Sequence, residues 1–208
     1  WPVMIRNLVF DFGKVLVDYD FERVIRDFFH QGDHLEEYCR IVLSDAFMNR
    51  CDLGVEPLEE ILRQEQEAHP HLAAQLQLFY DRFDEFILGE MDGMRPLLMQ
   101  LKQKGFRLYG LTNWSKKVHG IMRKYEIFSL LDGWVISSEE HLIKPDVAIY
   151  DRLCQKYGLL PQECFFADDK QVNIDGALRA GMKAAVFTTA AQYVKDLSRE
   201  APGLELVL

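Results

Sequence analysis

Four short polar clusters hold the chemistry that this chain can do: Asp11 with Gly13, Thr112-Asn113, Lys144, and the adjacent pair Asp168-Asp169. Carboxylates from two distant segments supply hard oxygen ligands, which suit Mg²⁺ held with waters and a substrate phosphate. Lys144 can neutralise phosphate charge as a point cation, and Thr112 with nearby backbone N–H groups can donate to phosphate oxygens. With Mg²⁺ and Lys144 offsetting charge, Asp11 can attack phosphorus in line, forming an aspartyl-phosphate that water then hydrolyses. Gly13 would serve the metal through its backbone carbonyl, a role that needs no side chain. An isolated Asp-Asp pair is more often a helix start, so the combination carries the signal.

These residues need elements that bring them together. Asp11 ends an apolar run over residues 3–10, in which only Arg6 and Asn7 are polar. Such a run reads as a buried parallel strand with a carboxylate at its carboxyl end, the edge where open α/β sheets bind ligands. From residue 94 the order alternates: helix 96–104, strand 106–112, helix 116–125, strand 134–137, helix 146–157, strand 164–167, helix 173–180 and strand 184–188. Gly105, Gly158 and Gly181 stop three of these helices. Alternation of this kind predicts a doubly wound α/β fold with a parallel, Rossmann-like sheet and right-handed crossovers.

Between the first strand and this alternation the apolar period is helical: Phe21, Val24, Ile25, Phe28 and Phe29; Leu58, Ile61 and Leu62 behind Pro57; then Leu72, Leu76, Phe79, Phe83, Phe86 and Ile87. Residues 18–90 are therefore an inserted helical unit, and residues 1–17 with 91–208 form the core. Asp18 and Asp20 lie at the seam as hinge or capping residues or as catalytic helpers. Periodicity does not select which insert residues face a site; Arg23, Arg50 and Asp52 are polar candidates.

In this order the clusters resemble motifs one to four of the haloacid dehalogenase-like hydrolase superfamily. The segments Gly-Leu-Thr-Asn-Trp-Ser (110–115), Lys-Pro-Asp-Val-Ala-Ile-Tyr (144–150) and Asp-Asp-Lys-Gln-Val-Asn-Ile-Asp-Gly-Ala (168–177) carry the resemblance. It implies a core strand order 5-4-1-2-3, Mg²⁺ as cofactor, and the helical insert as a cap. It also implies Asp11 as nucleophile, Thr112 and Asn113 on phosphate, Lys144 holding nucleophile and phosphate together, and Asp11, Gly13, Asp168 and Asp169 at the metal. Phosphatases of that family usually have D-x-D at motif one, the second aspartate protonating the leaving group. Here Gly13 takes that place, and Lys14 stands where glycine is usual. Loss of such an acid slows attack on alkyl esters by about 10²- to 10⁴-fold, so better leaving groups are favoured. A branch with D-x-G, which includes a bacterial α-glucose-1-phosphatase, resembles this chain and suggests sugar phosphates as substrates. Lys14, Asp18 and Asp20 are candidates for a replacement acid.

Two other readings compete. A haloacid dehalogenase also lacks the second aspartate, but two carboxylates beside Asp11 would repel its carboxylate substrate. A catalytically impaired phosphometabolite-binding protein would have no need of an intact Asp11, Lys144 and Asp168-Asp169.

The chain has 208 residues and a net charge of −9, which argues against nucleic acid as partner. No apolar stretch approaches the roughly 20 residues of a membrane span, and the start lacks a signal peptide's h-region. Cysteines 39, 51, 154 and 164 form no C-x-x-C pair and read as free thiols in the cytoplasm. The six histidines show no metal-ligand spacing. The expected partner is a small phosphorylated metabolite, and the chain is expected to be a monomer or homodimer.

Overall fold

A computed structural model describes residues 2–29 and 34–208. Trp1 and His30 lie outside the described residues. The chain begins with β1 (Asn7–Phe10), whose four side chains are all buried. The ladder starts only at Asn7: Val3 and Met4, although apolar, are 58% and 64% exposed. After β1 the chain turns tightly through Phe12, whose carbonyl accepts from both Leu16 N–H and Val17 N–H, and runs into β2 (Val17–Tyr19).

The helices α1 (Phe21–Arg26), α2 (Leu35–Val42), α3 (Asp45–Leu53), α4 (Leu58–Ala68) and α5 (Ala73–Asp81) follow. Asp20 caps α1 by accepting from Arg23 N–H, and Ser44 caps α3 by accepting from Phe47 N–H. The segment returns through β3 (Ile87–Glu90), which pairs antiparallel with β2. A two-stranded sheet at the seam departs from the sequence expectation, and Ile87, assigned above to a helical stripe, is the first residue of β3. Three-residue and four-residue strands flanked by helical periods leave too few alternations to show a period of two.

The remaining elements alternate: α6 (Met94–Gln103), β4 (Arg107–Thr112), α7 (Val118–Lys124), β5 (Gly133–Ile136), α8 (Ser137–Glu140), α9 (Val147–Tyr157), β6 (Cys164–Asp168), α10 (Gln171–Arg179), β7 (Lys183–Val186) and α11 (Ala190–Glu200). The five-stranded sheet has the order β5-β4-β1-β6-β7, parallel throughout. Counted as core strands alone, this is 5-4-1-2-3 read from the β7 edge. Leu8 and Phe10 face one side of the sheet and Val9 the other, as a central strand covered on both faces requires. Helices α6, α7 and α11 cover the first side, α9 and α10 the second. The sequence expectation ends at the last strand and lacks α11, although Thr189 caps this helix and Ala190, Tyr193 and Leu197 bury one face.

Candidate active site

Strand β1 lies between β4 and β6, with Phe10 opposite Gly110 on one side and Ala167 on the other. That register places Asp11, Thr112 and Asp168 at the same carboxyl edge of three neighbouring strands. Lys144 arrives from the loop before α9 and joins them: its Nζ donates to Asp11 Oδ1 at 2.9 Å, to Asp168 Oδ2 at 2.7 Å and to the Leu111 carbonyl at 3.0 Å. All three side chains are nearly or fully removed from solvent. A buried ammonium so enclosed satisfies its three donors, which is what burial of a charge demands.

Asn113 holds this lysine in place. Its amide oxygen accepts from Lys144 N–H at 2.8 Å and its amide nitrogen donates to the Lys144 carbonyl at 3.0 Å. The Asn113 side chain is therefore spent on the Lys144 main chain, whereas the sequence reading gives it to phosphate. Thr112 differs: its hydroxyl is buried and has no hydrogen-bond partner among the described residues. A buried hydroxyl without a partner is costly, so a ligand oxygen would satisfy it.

The electrostatics follow from two carboxylates sharing one ammonium, with a third, Asp169, beside them. Burial pushes Asp11 up to about 7 against the pull of Lys144, with Asp168 and Asp169 adding to the rise. Burial also opposes the Lys144 charge, but Asp11 and Asp168 overcome it and hold the lysine above its ordinary value. For Asp168 burial is likewise outweighed, by Lys144, Lys170 N–H and Asn173, so it stays below the usual carboxylate range. Asp169 is raised by burial and by Asp168.

The residues present fit a divalent cation. Carboxylate oxygens of Asp11, Asp168 and Asp169 lie within 4.8 Å of one another. Asp11, Asp168 and Asp169 with Lys144 leave two negative charges. Asp11 Oδ1 also accepts from Phe12 N–H, while among the described residues no donor reaches Oδ2. Asp168 accepts from Lys144, Lys170 N–H and Asn173, so Asp11 and Asp169 have the freer oxygens. Hard oxygen donors of this kind select Mg²⁺ over softer metals.

A cavity of about 300 Å³ opens above this edge. Asp11, Gly13, Thr112, Asn113, Trp114, Lys144 and Asp169 form its floor, and α3, α4 and α5 supply walls that include Phe47, Met48, Leu62 and Phe79. Trp114 takes two roles, lining the cavity and packing its edge against Phe83 at 6.2 Å.

Gly13 has Tyr19 beside it, the ring occupying the space above its Cα. Lys14 has φ +66°, a conformation that favours glycine, and its ammonium donates to Asp18 at 2.6 Å and to the Tyr19 carbonyl at 2.9 Å. Lys14 and Asp18 are thus paired with each other and Asp20 is occupied in capping α1, which leaves none of the three as a free acid at the cavity. Arg50 is bound bidentately to Glu56, and Arg23 is exposed outside the cavity. Of the polar insert candidates, Asp52 alone lines it.

Residues 5–181 match the haloacid dehalogenase-like hydrolase family. The chain belongs to this family. Among its relatives, a phosphatase of Mycobacterium tuberculosis is 27% identical over 98% of this chain and 97% of its own length. A flavin mononucleotide hydrolase of Arabidopsis thaliana is 31% identical, but the match spans 52% of this chain and 44% of that protein. A HAD family enzyme of Bacteroides thetaiotaomicron, also solved with magnesium and inorganic phosphate, shares the fold. The wild-type protein in complex with both has a TM-score of 0.73 at 22% identity, over 89% of this chain and 96% of that one.

Elsewhere, the four cysteines are free thiols. Among the described residues no helix is long and apolar enough to cross a membrane. Three of the histidines, unremarkable in spacing, do meet in space: His34 Nδ1 and His71 Nε2 lie 3.2 and 3.0 Å from Glu37, with His69 at 3.8 Å. This group is away from the cavity, and its shortest contacts are imidazole–carboxylate hydrogen bonds.

Proposed function

We propose that this protein is a Mg²⁺-dependent phosphatase that hydrolyses a small phosphomonoester through a phosphorylated Asp11. The observation that carries this reading is Lys144, whose ammonium joins Asp11 to Asp168 at the cavity that the Thr112 hydroxyl, without a partner among the described residues, also lines. In this reading Asp11, the Gly13 carbonyl, Asp168 and Asp169 hold the cation, which supplies charge neutralisation at the transferring phosphoryl group. Lys144 and Thr112 bind phosphate oxygens, and Asn113 keeps Lys144 at the sheet edge, adding at most its main-chain N–H. Asp11 Oδ2 attacks phosphorus while Oδ1 stays fixed by Lys144 and Phe12 N–H. Water then cleaves the aspartyl-phosphate and restores the carboxylate.

Residues 1–17 and 91–208 act as the catalytic core and residues 18–90 as its cap, which excludes bulk water and selects the organic half of the substrate. The cavity volume supports a small metabolite. A sugar 1-phosphate meets the leaving-group requirement set by Gly13, whereas the Phe47, Met48, Leu62 and Phe79 wall supports an organic part with apolar surface. Free thiols support a reducing compartment such as the cytoplasm. Phosphate release from α-glucose 1-phosphate, glucose 6-phosphate and an aryl phosphate, with and without Mg²⁺, tests the reading. Release that requires both Mg²⁺ and Asp11 supports it; no release from any ester refutes it.

A further inference from the structure

Gly13 leaves the reaction without its usual proton donor, and the structure offers another carboxyl on the opposite wall. Asp45, Asn49 and Asp52 line the cavity at positions i, i+4 and i+7 of α3, hence along one face of that helix. Asp45 and Asn49 are exposed, whereas Asp52 lies at the end of the helix that meets the core. Three contacts pin this end. Ser137 Oγ donates to the Asp52 carbonyl at 2.6 Å, His141 Nδ1 donates to the Leu53 carbonyl at 2.9 Å, and Gly54 packs on Ser138. Gly54 has φ +63°, and a Cβ there would lie 2.2 Å from the Ser138 carbonyl oxygen, so a larger residue would push the helix end away.

The Asp52 carboxyl itself makes no hydrogen bond to the described residues, and the field of Lys144 and Lys170 reaches it. Burial nevertheless raises it to about 7, a value that lets a carboxyl hold a proton near neutrality and also give it up. Two phenols also line the cap side of the cavity: Tyr80 already donates to Glu59 at 2.8 Å, and burial with the nearby carboxylates pushes Tyr19 up to about 12, too weak an acid to share the role.

We propose that Asp52 is the general acid and base of this site, delivered from the cap in place of the missing motif-one carboxylate. This assignment rests on the phosphatase reading above. As Asp11 Oδ2 bonds to phosphorus and the ester P–O bond breaks, the Asp52 carboxylic acid gives its proton to the departing oxygen, which leaves as a neutral alcohol. The Asp52 carboxylate then takes a proton from water as that water oxygen bonds to phosphorus and the bond to Asp11 breaks. Phosphate departs, Asp11 is a carboxylate again, and Asp52 is protonated as at the start.

The test is a series of substituted phenyl phosphates, whose leaving groups differ in basicity and present no sugar hydroxyls to recognise. Measured with Mg²⁺, Asp52→Asn should lose about 10²- to 10⁴-fold in kcat/KM on the most basic phenol and little on the nitrophenols. Asp52→Ala should show the same steepening. Asp45→Asn, the same substitution at the other end of the same helix face, should keep the wild-type slope. Equal loss across the series, no loss, or steepening in Asp45→Asn as well would overturn the assignment while wild-type hydrolysis stands. Absence of hydrolysis by the wild-type protein would instead overturn the phosphatase reading, and this assignment with it.

Discussion

A Cβ on Gly13 would stand 2.7 Å from Cε1 of Tyr19, so the Tyr19 ring fills the space that a side chain at position 13 would need. Lys14 fixes the ring from outside, its ammonium 4.8 Å from the ring centroid. The two departures at motif one, Gly13 and Lys14, therefore converge on Tyr19. Gly13→Ala should destabilise the protein by about 1–3 kcal/mol through overpacking, and Tyr19→Ala in the same chain should relieve most of that cost. Urea denaturation of the four proteins of this cycle measures the coupling; additivity would show that the ring moves aside freely.

Asp11→Asn should abolish turnover and leave the far-UV circular dichroism unchanged. Lys144→Ala should lower turnover by several orders of magnitude and also destabilise, by about 3–5 kcal/mol, because Asp11 and Asp168 lose the charge that compensates them. Turnover surviving in Asp11→Asn would remove the covalent mechanism; a mild effect of Lys144→Ala would mean that another cation serves there.

Mg²⁺ should raise the melting temperature, since a ligand of the folded state stabilises it, by about 2.7 kcal/mol at a hundred times its dissociation constant. Asp169→Asn should remove that gain while leaving the metal-free protein folded, because Asp169 takes no part in the Lys144 hydrogen bonds. An equal Mg²⁺-dependent shift in Asp169→Asn would exclude that residue from the metal site.

Asp52 gives a pH dependence whose sign is fixed by its raised value. Between an ordinary 3.8 and the folded value of about 7, the native protein keeps a proton that the unfolded chain has released, so stability falls as pH rises through that window. The amide that Asp52→Asn puts there cannot titrate. The melting temperature of Asp52→Asn minus that of wild type, without metal, should therefore grow from pH 4 to pH 8 and level off above it. Asp11, raised in the same way, is present in both proteins and cancels. A difference that does not change with pH would mean that Asp52 ionises freely.

Asp11, Thr112 and Asp168 were legible in the sequence because each ends or follows an apolar run, and such runs report burial directly, whereas Lys144 was legible only through its motif. Asp11, Thr112, Lys144 and Asp168 meet as their motif order implied. Asn113 stands beside them, but the pairing of its side chain with the Lys144 main chain was not legible, since a side-chain amide shows its partner only once the Lys144 loop has docked. Asp52 and Tyr19 were still harder to read. Gly54 could have marked the end of α3, yet which face of that helix meets the core depends on the Ser137 and Ser138 contacts, 85 residues away in sequence for the Asp52 carbonyl bond. The apolar start at Val3 misled for the opposite reason: among the described residues no strand pairs with it, so its hydrophobicity stays in water.

The bond from Lys144 to Asp11 spans 133 positions of the chain, and β1 draws its two neighbours from segments about as distant. No local stretch can assemble this constellation before the central strand has been flanked on both sides, and such non-local pairing is slow to form. Catalysis is thus a late event in the life of each newly made molecule. The first turnover after dilution from denaturant would time the closure of the sheet, with the enzyme serving as its own clock.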